Sequence, residues 1–270
     1  MVLLAAGPGR YLAAGGIGLA AGATLGVVGW GGAQVIKPTL TSPLLGCTHL
    51  QATATSLFSL SVAVVSGASQ FVGGGSASLT LAAAIALPSM AGARWGSRLA
   101  GRLSPDALAL IFNGGSVMLL PTHFWIQNRR RAQQQEETDE AQQGALASAA
   151  PHDGDSDAAA TEAGLAAATA QLLEPAALAG HCAFGFSAGV LSALMGVGGL
   201  PVVMSYLTIA SPLPHHLIQG TAMCAVAPSV LTSSLTHVQS GATPLRVAAA
   251  VTCGSVTGAA LVTYPRLALY

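Results

Sequence analysis

Two stretches of this chain, one beginning near residue 18 and one near residue 185, carry the same glycine pattern, and this duplication limits the possible folds more than any other feature. The first copy reads Gly18-Leu-Ala-Ala-Gly22, Gly29-Trp30-Gly31-Gly32 and His49-Leu50. The second reads Gly185-Phe-Ser-Ala-Gly189, Gly196-Val197-Gly198-Gly199 and His216-Leu217. All these pairs share one offset of 167 residues, and with a one-residue shift the match continues through Thr55-Ser56 on Thr221-Ala222, Gly75 on Gly241 and Leu79 on Leu245. Duplicated hydrophobic segments punctuated by glycine are a common plan for membrane transporters, whose substrate sits where the halves meet.

The solvent of such a chain follows from its charge. Only 7% of the residues are charged and 52% are hydrophobic, with a mean hydropathy of +0.61; a soluble domain carries roughly 25% charged residues. The composition therefore points to a multi-pass integral membrane protein, without saying which membrane. The charges are also segregated. Of the ten acidic residues only Asp106 lies outside the stretch from Glu136 to Glu174, which is headed by Arg129, Arg130 and Arg131. Residues 128–175 thus sum to −6 and the rest of the chain to +6.

Apolar stretches of about 20 residues match the hydrocarbon thickness of a bilayer. They predict an all-α bundle of seven spans near 11–36, 48–70, 77–99, 107–127, 176–206, 216–238 and 244–264. Helices are required because lipid offers the backbone no partners. Residues 11–127 form a first repeat, 128–175 an acidic, disordered or weakly helical linker without apolar periodicity, and 176–270 a second repeat, one helix shorter than the first. The first and fifth spans exceed one crossing and contain the Gly-x-Gly-Gly runs, so each is a broken helix or a helix followed by a re-entrant piece. Four crossings before the linker would make the repeats parallel, whereas a re-entrant segment would invert one. Lys37, Arg94, Arg98, Arg102 and Arg266 fall on one side of seven spans, and Arg10, Arg129, Arg130, Arg131 and Arg246 on the other. Five against five assigns no orientation.

Small residues at four-residue spacing, such as Gly18 and Gly22, Gly92 and Gly96, Gly185 and Gly189, and Gly254 and Gly258, suit close helix packing in lipid. The Gly-x-Gly-Gly runs differ, because each glycine weakens a helix by roughly 1 kcal/mol relative to alanine and the freed N–H groups need partners. The runs, followed by Pro38-Thr39-Leu40 and by the triplets Ala54-Thr55-Ser56 and Gly220-Thr221-Ala222, and joined by Gly96-Ser97-Arg98-Leu99-Ala100 and by His237 and Gly241, resemble the TauE/SafE, or sulfite exporter, family. The resemblance covers nearly the whole chain except the linker. Departures are Ser205 in place of the second proline, Ala33 and Leu200 in place of a third glycine, and Ala54 in place of the glycine before Thr55. The short second repeat leaves three readings open: a seven-span unit sufficient in itself, one that homo-oligomerises, or a truncated product.

What the resemblance implies is movement of small sulfur oxyanions, such as sulfite or organosulfonates. The residues point to an anion independently, since no Asp or Glu falls inside a predicted span and cation sites and proton relays in membranes use such carboxylates. Helix ends at the breaks aim positive dipoles and free N–H groups at the midplane. Candidate substrate-binding residues are Gly29, Gly31, Gly32, Thr55, Ser56, Gly196, Gly198, Gly199, Thr221 and His237. The hydroxyls have an ordinary alternative in back-bonds to the preceding turn. His237, with an ordinary pKa of about 6.5, can bind an anion or pass it a proton; its alternative, shared with His49, His215 and His216, is an interfacial position. Cys47, Cys182, Cys224 and Cys253 lack zinc or disulfide spacing. No metal or cofactor is expected.

A nucleophile elbow, a phosphate loop, a zinc-protease motif and a basic-aromatic surface for nucleic acid are all missing from the sequence, so an enzyme or nucleic-acid partner is not expected. The glycine runs do not follow a strand, which removes a dinucleotide fingerprint, and no cleavable signal is read at the N-terminus. The reading from another class is a non-transporting membrane subunit or scaffold whose acidic linker recruits a basic partner. Deleting residues 136–170 discriminates between the two readings. Insertion and anion flux are expected to survive, and loss of flux from a variant still folded in the membrane would make the linker part of the mechanism.

Overall fold

The computed structural model describes residues 8–28, 32–42, 45–118, 128, 174–211 and 213–267. The expected linker, except its ends, and Gly29, Trp30 and Gly31 lie outside the described residues. Among the described residues the chain is all helix: α1 (Pro8–Val28), α2 (Ala33–Thr41), α3 (His49–Gly73), α4 (Leu79–Ala100), α5 (described over 105–118), α6 (Pro175–Met195), α7 (Leu200–Ala210), α8 (His215–Gln239) and α9 (Leu245–Leu267). The ends follow local chemistry. Thr48 opens α3 with a capping box, its hydroxyl accepting the Gln51 N–H while its own N–H donates to Gln51 Oε1, which satisfies two donors that a helix start otherwise leaves orphaned. Pro175 begins α6, where its missing N–H costs nothing.

The two long apolar stretches reverse direction. After α6 the chain folds back, so that Gly199 lies against Ser192 and the Ala188 carbonyl, and Tyr206 of α7 reaches His181 and Phe184 of α6. In the first stretch Gly32 abuts Ala21, and Ile36 and Leu40 of α2 pack with Ala14 and Ala21 of α1. At about 1.5 Å per residue, the 9 residues of α2 and the 11 of α7 are too short to cross a hydrocarbon core. Of the two forms expected for 176–206, a helix followed by a returning half-length helix is the one observed.

Two glycine seams set the remaining packing. Gly18 and Gly22 of α1 press on Val251 and Ser255 of α9, while Gly254 and Gly258 of α9 press on Gly15 and Leu19 of α1. In the second seam Gly92 and Gly96 of α4 meet Phe186 and Val190 of α6, and Gly185 and Gly189 of α6 meet Ile85 and Ser89 of α4. A Cβ at any of these positions would collide with a carbonyl oxygen of the facing helix, so only glycine allows the backbones to touch. Residue numbers rise together along both seams, so the paired helices run parallel. By contrast α3 and α8 are antiparallel: Gly198 sits between Leu60 and Val230, Gly67 faces Met223, and Gly220 abuts Ser76.

The bundle presents an apolar exterior. Leu12, Leu87, Leu110, Ile209, Leu235 and Leu261 are all more than half exposed, which an aqueous surface rarely tolerates over such an extent. Among the described residues α3 and α6 are long and apolar enough to cross a membrane by length and composition.

The seams give a stability test. Gly189→Ala forces α4 and α6 apart and is expected to cost about 1–3 kcal/mol, read as a lower denaturation midpoint in detergent. Gly180→Ala, with open space around that position, should leave the midpoint unlowered, and equal losses in both would remove the close-packing account.

Candidate functional site

The site is built where α6 stops. Gly196 ends the helix with φ +73°, and Gly198 and Gly199 follow with φ +80° and +73°. Three left-handed residues within four positions require glycine, since any other L-residue there loses roughly 1–2 kcal/mol. The loop reverses the chain within four residues and starts α7 with no side-chain cap. Among the described residues no acceptor receives the N–H groups of Val197, Gly198, Gly199 or Leu200. These donors and the α7 dipole, worth about half a positive charge, face the interior.

The carbonyl side of the break is occupied instead. Lys37 Nζ, carried by α2, donates to the Met195 carbonyl at 2.9 Å, and Ser56 Oγ, carried by α3, donates to the Gly196 carbonyl at 2.7 Å. The Lys37 ammonium also lies 4.2 Å from the ring centroid of Phe112 on α5. Lys37 is 1% exposed, and among the described residues it faces no acidic side chain, since Asp106 and Glu174 are both on the surface. A charged hydrogen bond contributes about 1.5–3 kcal/mol and a desolvated cation–π contact about 2, against a burial cost of several kcal/mol for an ion. The two contacts offset much of the cost of burying the ammonium.

Two further hydroxyl-bearing residues pack on the loop. Thr53 is fully buried with its methyl 3.0 Å from where a Gly196 Cβ would stand, and Ser192 Oγ lies 3.3 Å from the corresponding point on Gly199. Neither hydroxyl has a hydrogen-bond partner among the described residues.

The residues singled out in the sequence distribute unevenly. Ser56, Gly196, Gly198 and Gly199 come together at the break. Gly32 precedes α2 and packs on Ala21, while Gly29 and Gly31 lie outside the described residues. Thr55 is buried and unpartnered, one residue from Ser56 but on the side of α3 that carries Ser59, whose hydroxyl meets Ser255 of α9. Thr221 sits at the far end of α3, where its hydroxyl accepts the Ser78 N–H at 3.0 Å. Seventeen residues of helix, from Ser56 to Gly73, at about 1.5 Å each put roughly 26 Å between that end and Ser56. His237 is 1% exposed in the last turns of α8, two turns beyond Val230, and its Nε2 has no partner among the described residues; an interfacial position does not describe it. The span boundaries leave Lys37 in a connecting segment, whereas it is buried in α2, so the five-to-five division loses one member. Sequence reasoning missed Lys37, Thr53 and Ser192. One signal for the first was present, since Lys37 is the sole lysine of the chain.

The Gly198 backbone yields a direct test. Gly198→Ala is expected to lower stability by about 1–2 kcal/mol through its left-handed φ, whereas Gly16→Ala, on an open helix face, should raise it by up to about 1 kcal/mol. Detergent unfolding of both variants checks the sign.

A family model described as sulfite exporter TauE/SafE matches residues 13–264. No curated protein and no solved structure matches the chain.

Proposed function

Because the chain belongs to the sulfite exporter TauE/SafE family, we propose that it is a multi-pass membrane carrier of small sulfur oxyanions, sulfite or an organosulfonate, acting at the α6–α7 break. The observation that carries this reading is the uncapped start of α7. Its free N–H groups emerge from a left-handed glycine loop into an interior where the described residues include no buried carboxylate. An oxyanion is the natural complement of such a helix start, and transporters place substrate anions at the N-termini of broken helices.

The packing supports two halves of opposite topology. On this reading α1 to α4 match α6 to α9, so antiparallel α3 and α8 are equivalent helices and the two glycine seams are equivalent contacts made crosswise. Seven helices cross the bilayer, namely α1, α3, α4, α5, α6, α8 and α9, while α2 and α7 enter partway. The Gly29–Gly32 run serves the first half as Gly196–Gly199 serves the second, with Thr55, Ser56 and Thr221 as hydroxyls near the path. His237, buried near the same end of α3 as the break, hands a proton to the anion or takes one from it in passage. The reading requires no metal or cofactor.

The test is flux of sulfite, sulfate, a sulfonate and a monovalent cation into proteoliposomes across about pH 6 to 8. Anion flux should exceed cation flux, and the double changes of Gly31 and Gly32, or of Gly198 and Gly199, to leucine should abolish it while the protein still inserts. Cation flux in excess would discard the anion reading. A pH profile unchanged in His237→Ala would discard the histidine's part alone.

A further inference from the structure

We infer that Lys37, Thr53 and Ser192 are the side chains that hold the anion at the α6–α7 break, and that Lys37 sets the charge the carrier accepts. The inference rests on the transport reading for the fate of the anion, and on the geometry for where it binds. Lys37 has three donors, of which the Met195 carbonyl takes one, and it is buried against Phe112 without an acidic partner among the described residues. Membrane interiors retain such a residue chiefly where a ligand or pathway uses it.

The two hydroxyls carry independent weight. Inside helices a threonine or serine ordinarily donates back to the carbonyl one turn earlier, as Thr208 does to Met204, Thr252 to Ala248 and Ser187 to Ala183. Thr53 and Ser192 make no such bond, although they are 0% and 3% exposed. Ser192 sets its hydroxyl against Gly199, and Thr53 packs its methyl on Gly196 with the unpartnered hydroxyl on the same Cβ. Two idle buried donors beside free N–H groups describe a cradle for several oxygens. Ser56 is excluded from direct contact because its hydroxyl is spent on the Gly196 carbonyl. With Lys37 protonated, as an anion beside it favours, the ammonium and the helix dipole together supply about +1.5 elementary charges, which suits a compact oxyanion of charge between about −1 and −2 better than a neutral solute.

The experiment uses the full chain, with sodium sulfite, sodium sulfate and a sulfonate as probes. Proteoliposome uptake gives the half-saturating concentration, and thermal unfolding in detergent gives binding without transport. Lys37→Met and the pair Thr53→Val with Ser192→Ala should each raise half-saturation at least about tenfold and remove stabilisation by the anion. Lys37→Arg should stay within about threefold of wild type with altered preference among the anions. Cys253→Ala, on the exposed face of α9, serves as the unaffected control. Wild-type half-saturation in folded Lys37→Met and in the hydroxyl pair overturns the inference; should Lys37→Met fail to fold, the hydroxyl pair and Lys37→Arg decide it. If wild type moves no anion yet is stabilised by sulfite, and Lys37→Met is not, the site stands and the transport reading falls. Absence of both flux and stabilisation in wild type overturns both.

Discussion

Everything at the centre of this protein depends on how the end of α6 is satisfied without water. A helix terminus leaves its last carbonyls unpaired, and in a medium that offers no solvent each unpaired group costs several kcal/mol. Here the Met195 and Gly196 oxygens are taken by Lys37 and Ser56, side chains that arrive from α2 and α3. Because both donors come from elsewhere in the chain, the break is pinned from outside its own hairpin. The glycine loop can then turn back on itself and leave its N–H groups uncommitted. Carbonyls filled and amides free is a polarised arrangement.

The two stretches that share the glycine pattern are not used identically. Lys37 matches Met204 at the offset of 167 residues, so only one of the two folded-back half-helices carries a charge. The shifted match adds a second asymmetry. Thr221 receives the Ser78 N–H, and the positions matching these two at an offset of 166 are Thr55 and Pro244. Proline has no N–H to give, which accounts for a buried Thr55 hydroxyl that lacks a partner among the described residues. The shared glycine pattern thus leaves the residues around it free to differ in charge and in hydrogen bonding.

Much of the fold was legible because bilayer thickness is a strict ruler. The apolar runs 48–70, 77–99, 216–238 and 244–264 foretold α3, α4, α8 and α9 to within three residues at each end, and the four-residue glycine spacing named the residues that line both seams. The direction of the chain after each Gly-x-Gly-Gly run was not legible, since glycine signals a break and says nothing of where the next helix goes. Lys37 escaped notice for a related reason: a span drawn to residue 36 leaves the next residue outside as an interfacial anchor, and only the reversal of α2 brings it in. Thr221 was grouped with Thr55 by alignment, yet antiparallel helices carry matching residues to opposite ends. Thr53 and Ser192 had no sequence signal, because an idle hydroxyl is recognised only by the bond it fails to make.

The crosswise glycine seams have a consequence for biosynthesis. The groove that Gly18 and Gly22 open on α1 is filled by α9, which leaves the ribosome long after α1 has done so. Until then α1 has only α2 beside it along that flank, and its glycines face lipid, where they bind nothing tightly. The early helices wait without this contact until α9 arrives. These contacts join residues far apart in sequence, and such pairings are slow to form. A nascent chain halted before α9 would be a natural substrate for membrane quality control.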